Sequence, residues 1–184
     1  MEIHLIRHTT PCIEKNICYG QSDVLLKDTF PEEFKVVLER LPCYADVIYS
    51  SPLFRCIKLA EEIAQTFNLP VKKDDRLREM NFGTWEMKRW NDIDQEALMK
   101  WMNGYQHERC PQGESYLDLV NRLKEFYNEI KVKQYRSVII VTHAGVIKAS
   151  HVILRGLSLE DAIALKIEFG SILTMSITAC AQDS

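Results

Sequence analysis

Two histidines and two arginines stand close behind short apolar runs of this 184-residue chain. Arg7-His8 follows Ile3–Ile6, Arg55 lies a few residues past Asp46–Ser50, and His143 follows Val138–Thr142. A carboxylate, Glu79, sits in the charged stretch Arg78-Glu79-Met80 behind Val71–Lys73. These are the parts of an anion site that also holds a nucleophile. A guanidinium fork matches phosphate oxygens two at a time. A neutral imidazole attacks phosphorus and splits one hard displacement into two easier ones. A carboxylic acid protonates the departing alkoxide and later deprotonates water, a role favoured when a phosphate dianion beside it raises its pKa.

For these groups to meet, the apolar runs must be strands of one sheet. Ile3–Ile6, Asp46–Ser50 and Val71–Lys73 read as strands, and Val138–Thr142, the most apolar, reads as central and covered on both faces. Between them run helical patterns. Phe34, Val37, Leu38 and Leu41 share one face, and Ser51-Pro52 reads as the start of a helix with Leu53, Ile57, Ala60, Ala64 and Phe67 along its buried side. A weaker helix covers Trp90 to Trp101, a stronger one Ser115 to Lys131 with Leu119, Leu123, Phe126 and Ile130 as its stripe. His143-Ala144-Gly145 turns into a helix running to about Leu154, and Ile172–Ile177 is a last strand, antiparallel at an edge. The alternation predicts an α/β fold, a three-layer α/β/α sandwich around a mostly parallel sheet, with residues 1–184 as one domain. In such sheets ligands bind beyond the carboxyl ends of the strands, where Arg7, His8, Arg55, His143 and Glu79 would gather.

Composition narrows the class. Hydrophobic residues make up 46% and charged residues 27%, with a net charge of −3, so neither nucleic acid nor an acidic membrane surface is expected as a partner. The six cysteines, Cys12, Cys18, Cys43, Cys56, Cys110 and Cys180, include no C-x-x-C pair, and a chain of this length needs no disulfide staples. No leader segment or continuous apolar span is read, and a cytoplasmic, reduced protein is expected. His8, His143 and Glu79 would also make a two-histidine, one-carboxylate metal set. Both histidines stand beside arginines or helix starts suited to anions, so no metal and no organic cofactor is expected. His4 reads as packed within its strand, and His107 and His151 as surface or helix-face residues.

Arg7-His8-Thr9 resembles the R-H-G signature of the histidine phosphatase (phosphoglycerate mutase-like) superfamily. The resemblance continues in order through Ser51-Pro52-Leu53-Phe54-Arg55, Leu77-Arg78-Glu79-Met80-Asn81-Phe82-Gly83, Gly113-Glu114-Ser115 and Val141-Thr142-His143-Ala144-Gly145. It implies a phosphate monoester hydrolase with His8 as nucleophile, Arg7, Arg55 and His143 as the phosphate pocket, and Glu79 as proton donor. Arg7-His8-Thr9-Thr10-Pro11 and Ile17-Cys18-Tyr19-Gly20-Gln21-Ser22-Asp23 are similar to the α-ribazole-5′-phosphate phosphatase branch of cobalamin biosynthesis. Thr9 replaces the usual glycine, which fits that branch, and Ala144 stands where many members have glycine. Thr10, Tyr19, Gly20, Gln21, Ala144 and Trp85 are the further expected substrate contacts, with Tyr19 or Trp85 stacking on an aromatic leaving group. Tyr105 is a further aromatic candidate. The alternatives are a phosphatase for sugar phosphates, phosphoglycerate or a broad range of esters, and, from another class, an inactive phospho-ligand binding module.

Overall fold

A computed structural model describes residues 1–177, so Cys180 lies outside the described residues. Five strands form one sheet: β1 (Glu2–Arg7), β2 (Val47–Ser50), β3 (Val71–Lys73), β4 (Ser137–Thr142) and β5 (Ile172–Ser176), in the order β3-β2-β4-β1-β5. The first four run parallel, and β5 pairs antiparallel with β1 at one edge. All six residues of β4 are buried, as its unbroken apolar run requires of a central strand.

The period-2 alternation of the strands sorts the core into two layers. Ile3, Leu5, Val47, Tyr49, Val138 and Ile140 face α4 (Tyr116–Lys131) and α5 (Ala144–Arg155). Ile6, Ile48, Ile139 and Val141 face α1 (Phe30–Leu38) and α2 (Phe54–Phe67) on the other side. Leu119, Leu123, Phe126 and Ile130 of α4 are fully buried, as the stripe predicts, and Ser115 and Asp118 close a capping box at its start. Two smaller helices, α3 (Gln95–Gly104) and α6 (Leu159–Ala164), complete the described α-helices.

The structure moves some boundaries. Ser51-Pro52 does not open α2, which starts at Phe54 after an extended Leu53. The first-turn N–H of Phe54 is instead bonded to Asp23 Oδ1 at 2.8 Å, an acceptor 31 residues away that sequence periodicity cannot show. The helix expected over 90–101 is a 3-10 turn at Trp90–Asp92 followed by α3, which Asp94 caps through the Ala97 N–H at 2.7 Å. The short α6 has no counterpart in the sequence reading, because six residues carry too little periodicity.

Candidate active site

Strand register places the two imidazoles side by side. Arg7 of β1 pairs with Thr142 of β4, so the next residues on both strands, His8 and His143, leave the sheet together. Their rings lie edge to face with centroids 5.2 Å apart. Both side chains are buried, His8 at 1% exposure and His143 at 0%. Burial, with the charges of Arg55 and Arg7 close by, holds both imidazoles well below the usual histidine pKa, and the neighbouring His8 ring adds to the lowering at His143. His8 Nδ1 donates to the Thr9 carbonyl at 2.7 Å. A carbonyl only accepts, so in the neutral ring the lone pair falls on Nε2, the nitrogen free to attack.

Arg55 is the largest fully buried side chain of the described residues. Its Nη1 donates to Ser22 O at 2.9 Å and its Nη2 to Gly20 O at 2.6 Å, while its Nε–H is buried without a partner. Arg7 donates to Ile167 O, lies 3.7 Å above the Phe169 ring, and also has an unpartnered buried Nε–H. Among the described residues, neither arginine forms an ion pair with a carboxylate. A fully buried and a partly buried cation, with spare donors and no counter-ion, cost free energy unless an anion settles between them. Such a pair of guanidiniums suits a bound anion.

Glu79 reaches the same edge. Its Oε2 accepts from the first-turn N–H of Gly145 at 3.1 Å, and its Oε1 from Met80 N at 3.1 Å. A β-carbon on residue 145 would lie 2.2 Å from Glu79 Oε1, so glycine there makes room for the carboxylate. Arg122 of α4 holds the loop behind it, donating to Glu79 O at 3.0 Å and Arg76 O at 2.6 Å while gripping Glu114 through Nε and Nη2. Gln21 Nε2 reaches Glu79 O at 2.9 Å, tying the Tyr19–Asp23 loop to the acid loop.

Beside Glu79 opens a cavity of about 200 Å³ lined by Met80, Phe82, Trp101, Tyr105, Tyr116, Ala144, Gly145, Lys148 and Ile163. Ala144, next to His143, therefore sits at the junction between the histidine edge and the cavity. Tyr19 stands half-buried with its ring 5.1 Å from the Arg55 guanidinium, a cation–π contact, so its ring backs that cation. Trp85 is a correction: it is 3% exposed, packs edge-on against Trp101 at 5.8 Å in the core, and does not line the cavity. The Thr10 N–H and hydroxyl both donate to Glu33 Oε2, at 2.8 and 3.0 Å, tying the loop after His8 to α1. Both placements are tertiary, one into an aromatic core layer and one onto a helix 23 residues away.

Several site residues escape the sequence reading. Ser51 Oγ lies 2.8 Å from His143 Nε2, and Cys56 Sγ lies 3.4 Å from the same nitrogen, so both flank the second imidazole. Lys148, one helical turn after Ala144, is the cavity's ammonium and donates to Ile163 O at 2.6 Å. Helical spacing on from Ala144 was the one available signal for it. The other histidines match their reading: His4 pairs with Thr174 Oγ1 at 3.0 Å, His107 is exposed, and His151 is buried on the α5 face.

The histidine phosphatase superfamily (branch 1) family model matches residues 3–183. The chain belongs to the histidine phosphatase superfamily. Within it, the chain is 32% identical over 146 residues to phosphoserine phosphatase 1 of Hydrogenobacter thermophilus, covering 77% of this chain and 69% of that protein. It is 28% identical over 129 residues to the adenosylcobalamin/α-ribazole phosphatase of Escherichia coli K12, covering 68% and 64%. The crystal structure of the α-ribazole phosphatase from Shigella flexneri superposes with a TM-score of 0.88 at 26% identity, over 97% of this chain and 91% of that one. The mostly parallel sheet with helices on both faces is thus the phosphoglycerate mutase-like fold, and the chain is a phosphatase of this superfamily. Among the described residues, no helix is long and apolar enough to cross a membrane.

Proposed function

We propose that this phosphatase hydrolyses phosphate monoesters of a flat, largely apolar alcohol through a phosphohistidine on His8, with α-ribazole 5′-phosphate as its substrate in cobalamin biosynthesis. The observation that carries the choice of ester is the wall of the cavity beside Glu79, where Phe82, Trp101, Tyr105 and Tyr116 supply aromatic surface and Lys148 a lone ammonium. An aromatic base buries apolar area there, whereas the ammonium and carboxylate of phosphoserine would leave water for an apolar wall.

In the proposed cycle, the phosphoryl group lies between Arg7, Arg55 and His143. His8 Nε2 attacks phosphorus, and the P–O bond to the ester oxygen breaks as Glu79 delivers a proton to it. Glu79, now a carboxylate, takes a proton from water, and the oxygen attacks the phosphohistidine to release inorganic phosphate and restore His8. The positive charge that the transferring group needs comes from the two guanidiniums, so the cycle draws on no metal and no cofactor.

Steady-state hydrolysis tests this with α-ribazole 5′-phosphate, phosphoserine, 3-phosphoglycerate and phenyl phosphate, in EDTA. The ribazole ester is expected to give the highest kcat/KM, with EDTA without effect. Higher kcat/KM on phosphoserine would move the substrate to the amino-acid ester and keep the chemistry. No turnover on any ester, with no trapped phosphoenzyme, would leave a binding module.

A further inference from the structure

We infer that Glu86 is a positioning residue of the phosphatase reaction: its carboxylate holds the Gly20–Ser22 loop so that two carbonyls of that loop fix the Arg55 guanidinium. Every link is a hydrogen bond. Glu86 Oε1 accepts from Gln21 N at 2.8 Å and from Phe82 N at 3.2 Å, and Oε2 accepts from the Ser22 hydroxyl. The carbonyls on either side of Gln21, those of Gly20 and Ser22, then receive the two terminal nitrogens of Arg55 at 2.6 and 2.9 Å. With both Nη atoms committed, the guanidinium plane is set, and its Nε–H is left for a ligand.

The loop is built around the carboxylate. Gly20 has φ +26°, and a β-carbon there would lie 2.5 Å from Glu86 Oε1 and 2.7 Å from Met80 O, so glycine allows the carboxylate to approach the backbone. Glu86 is itself anchored. It follows Trp85, locked in the core at 3% exposure, and precedes Met87, whose N–H bonds to Cys18 O at 2.6 Å. Cys18 N bonds back to Lys88 O at 2.9 Å, which ties the two segments into a short ladder. The carboxylate thus ties the Gly20–Ser22 loop to the rigid core. A buried guanidinium held only by carbonyls has many acceptable orientations in a mobile loop and one in a fixed loop, and transition-state stabilisation depends on that preorganisation.

The inference rests on the phosphate-binding role proposed for Arg55 and is independent of which ester is the substrate. The test is a double-mutant cycle on the full chain with phenyl phosphate, using Glu86→Ala, Glu86→Gln, Arg55→Lys and the paired variants. Glu86→Ala is expected to lower kcat/KM by about 10- to 100-fold, the effect of losing hydrogen bonds to a charged group. Glu86→Gln, which keeps two of the three acceptor contacts, should lose less. In the Arg55→Lys background, which lacks the planar fork that the two carbonyls fix, Glu86→Ala should cost less than about threefold more. Equal losses in both backgrounds, or a Glu86→Ala enzyme within about threefold of the parent, would overturn the inference. An Arg55→Lys enzyme as fast as the parent would instead remove the role of Arg55. If Glu86→Ala lowers Tm so far that it is unfolded at assay temperature, Ser22→Ala decides in its place. It is expected to lose about two- to tenfold with the same non-additivity, and a rate equal to the parent's would overturn the inference.

Discussion

Replacing Gly145 by alanine should leave the protein folded and disarm its acid. The position is helical, in the first turn of α5, so alanine removes the backbone-entropy cost of glycine, about 1 kcal/mol in a helix interior and less near an end. The new methyl, however, would lie 2.2 Å from Glu79 Oε1 and 3.1 Å from its Cδ. The atom in the way is the end of a flexible side chain rather than backbone, so the fold has no reason to yield, and the carboxylate must withdraw by roughly 1 Å. A misplacement of that size costs on the order of 100-fold in a step that depends on the displaced group. The assay compares kcat/KM for phenyl phosphate, whose leaving group needs a proton, with 2,4-dinitrophenyl phosphate, which departs as a stable anion. Because kcat/KM reports events through formation of the phosphoenzyme, the second role of Glu79 in hydrolysing that intermediate does not enter. The expected loss is about 100-fold on the first ester and less than about threefold on the second, with Tm unchanged or raised. Equal losses on both esters would refute the assignment of Glu79 as the proton donor. No loss on phenyl phosphate would show that its position is not critical.

His8→Ala should reduce turnover by several powers of ten and abolish acid-labile, base-stable phosphoenzyme in a rapid quench, and turnover within about tenfold of the parent would remove His8 as the nucleophile. Arg55→Met should cost most of the activity; inorganic phosphate should raise the parent's Tm and leave the variant's unchanged, as differential scanning calorimetry can check. Because burial holds His8 and His143 neutral, the unfolded chain binds more protons than the folded one once pH drops below the ordinary histidine value of 6.5, so stability is full above it and falls as pH decreases. Each imidazole contributes up to about 1.4 kcal/mol per pH unit, and denaturation midpoints flat between pH 7 and 5 would contradict that sign. Trp101→Ala should lower kcat/KM for an aromatic ester more than for phosphoserine, because its ring lines the cavity whereas Trp85 does not.

Much of this was legible in the chain itself. Apolar runs of four to six residues alternating with helical stripes dictate a parallel sheet with two faces to cover, and a strand must end where polar groups begin. Arg7-His8 and His143 therefore lie at the sheet's carboxyl edge by pattern alone, and the ordered motifs around Arg55 and Glu79 identify the superfamily. What the sequence determined was which residue types reach that edge and the chemistry they share. The tertiary structure decided how they meet. Register between β1 and β4 brings the two imidazoles to 5.2 Å, and Gly145 admits the Glu79 carboxylate beside α5. It also sent Trp85 into the core, Thr10 to Glu33, and the carboxylate of Glu86 to a loop 65 residues earlier. The physical reason is range. Periodicity and capping are set by neighbours within a turn of helix or a pleat of strand, whereas a hydrogen bond across 65 residues exists only once packing has closed the loop between its partners.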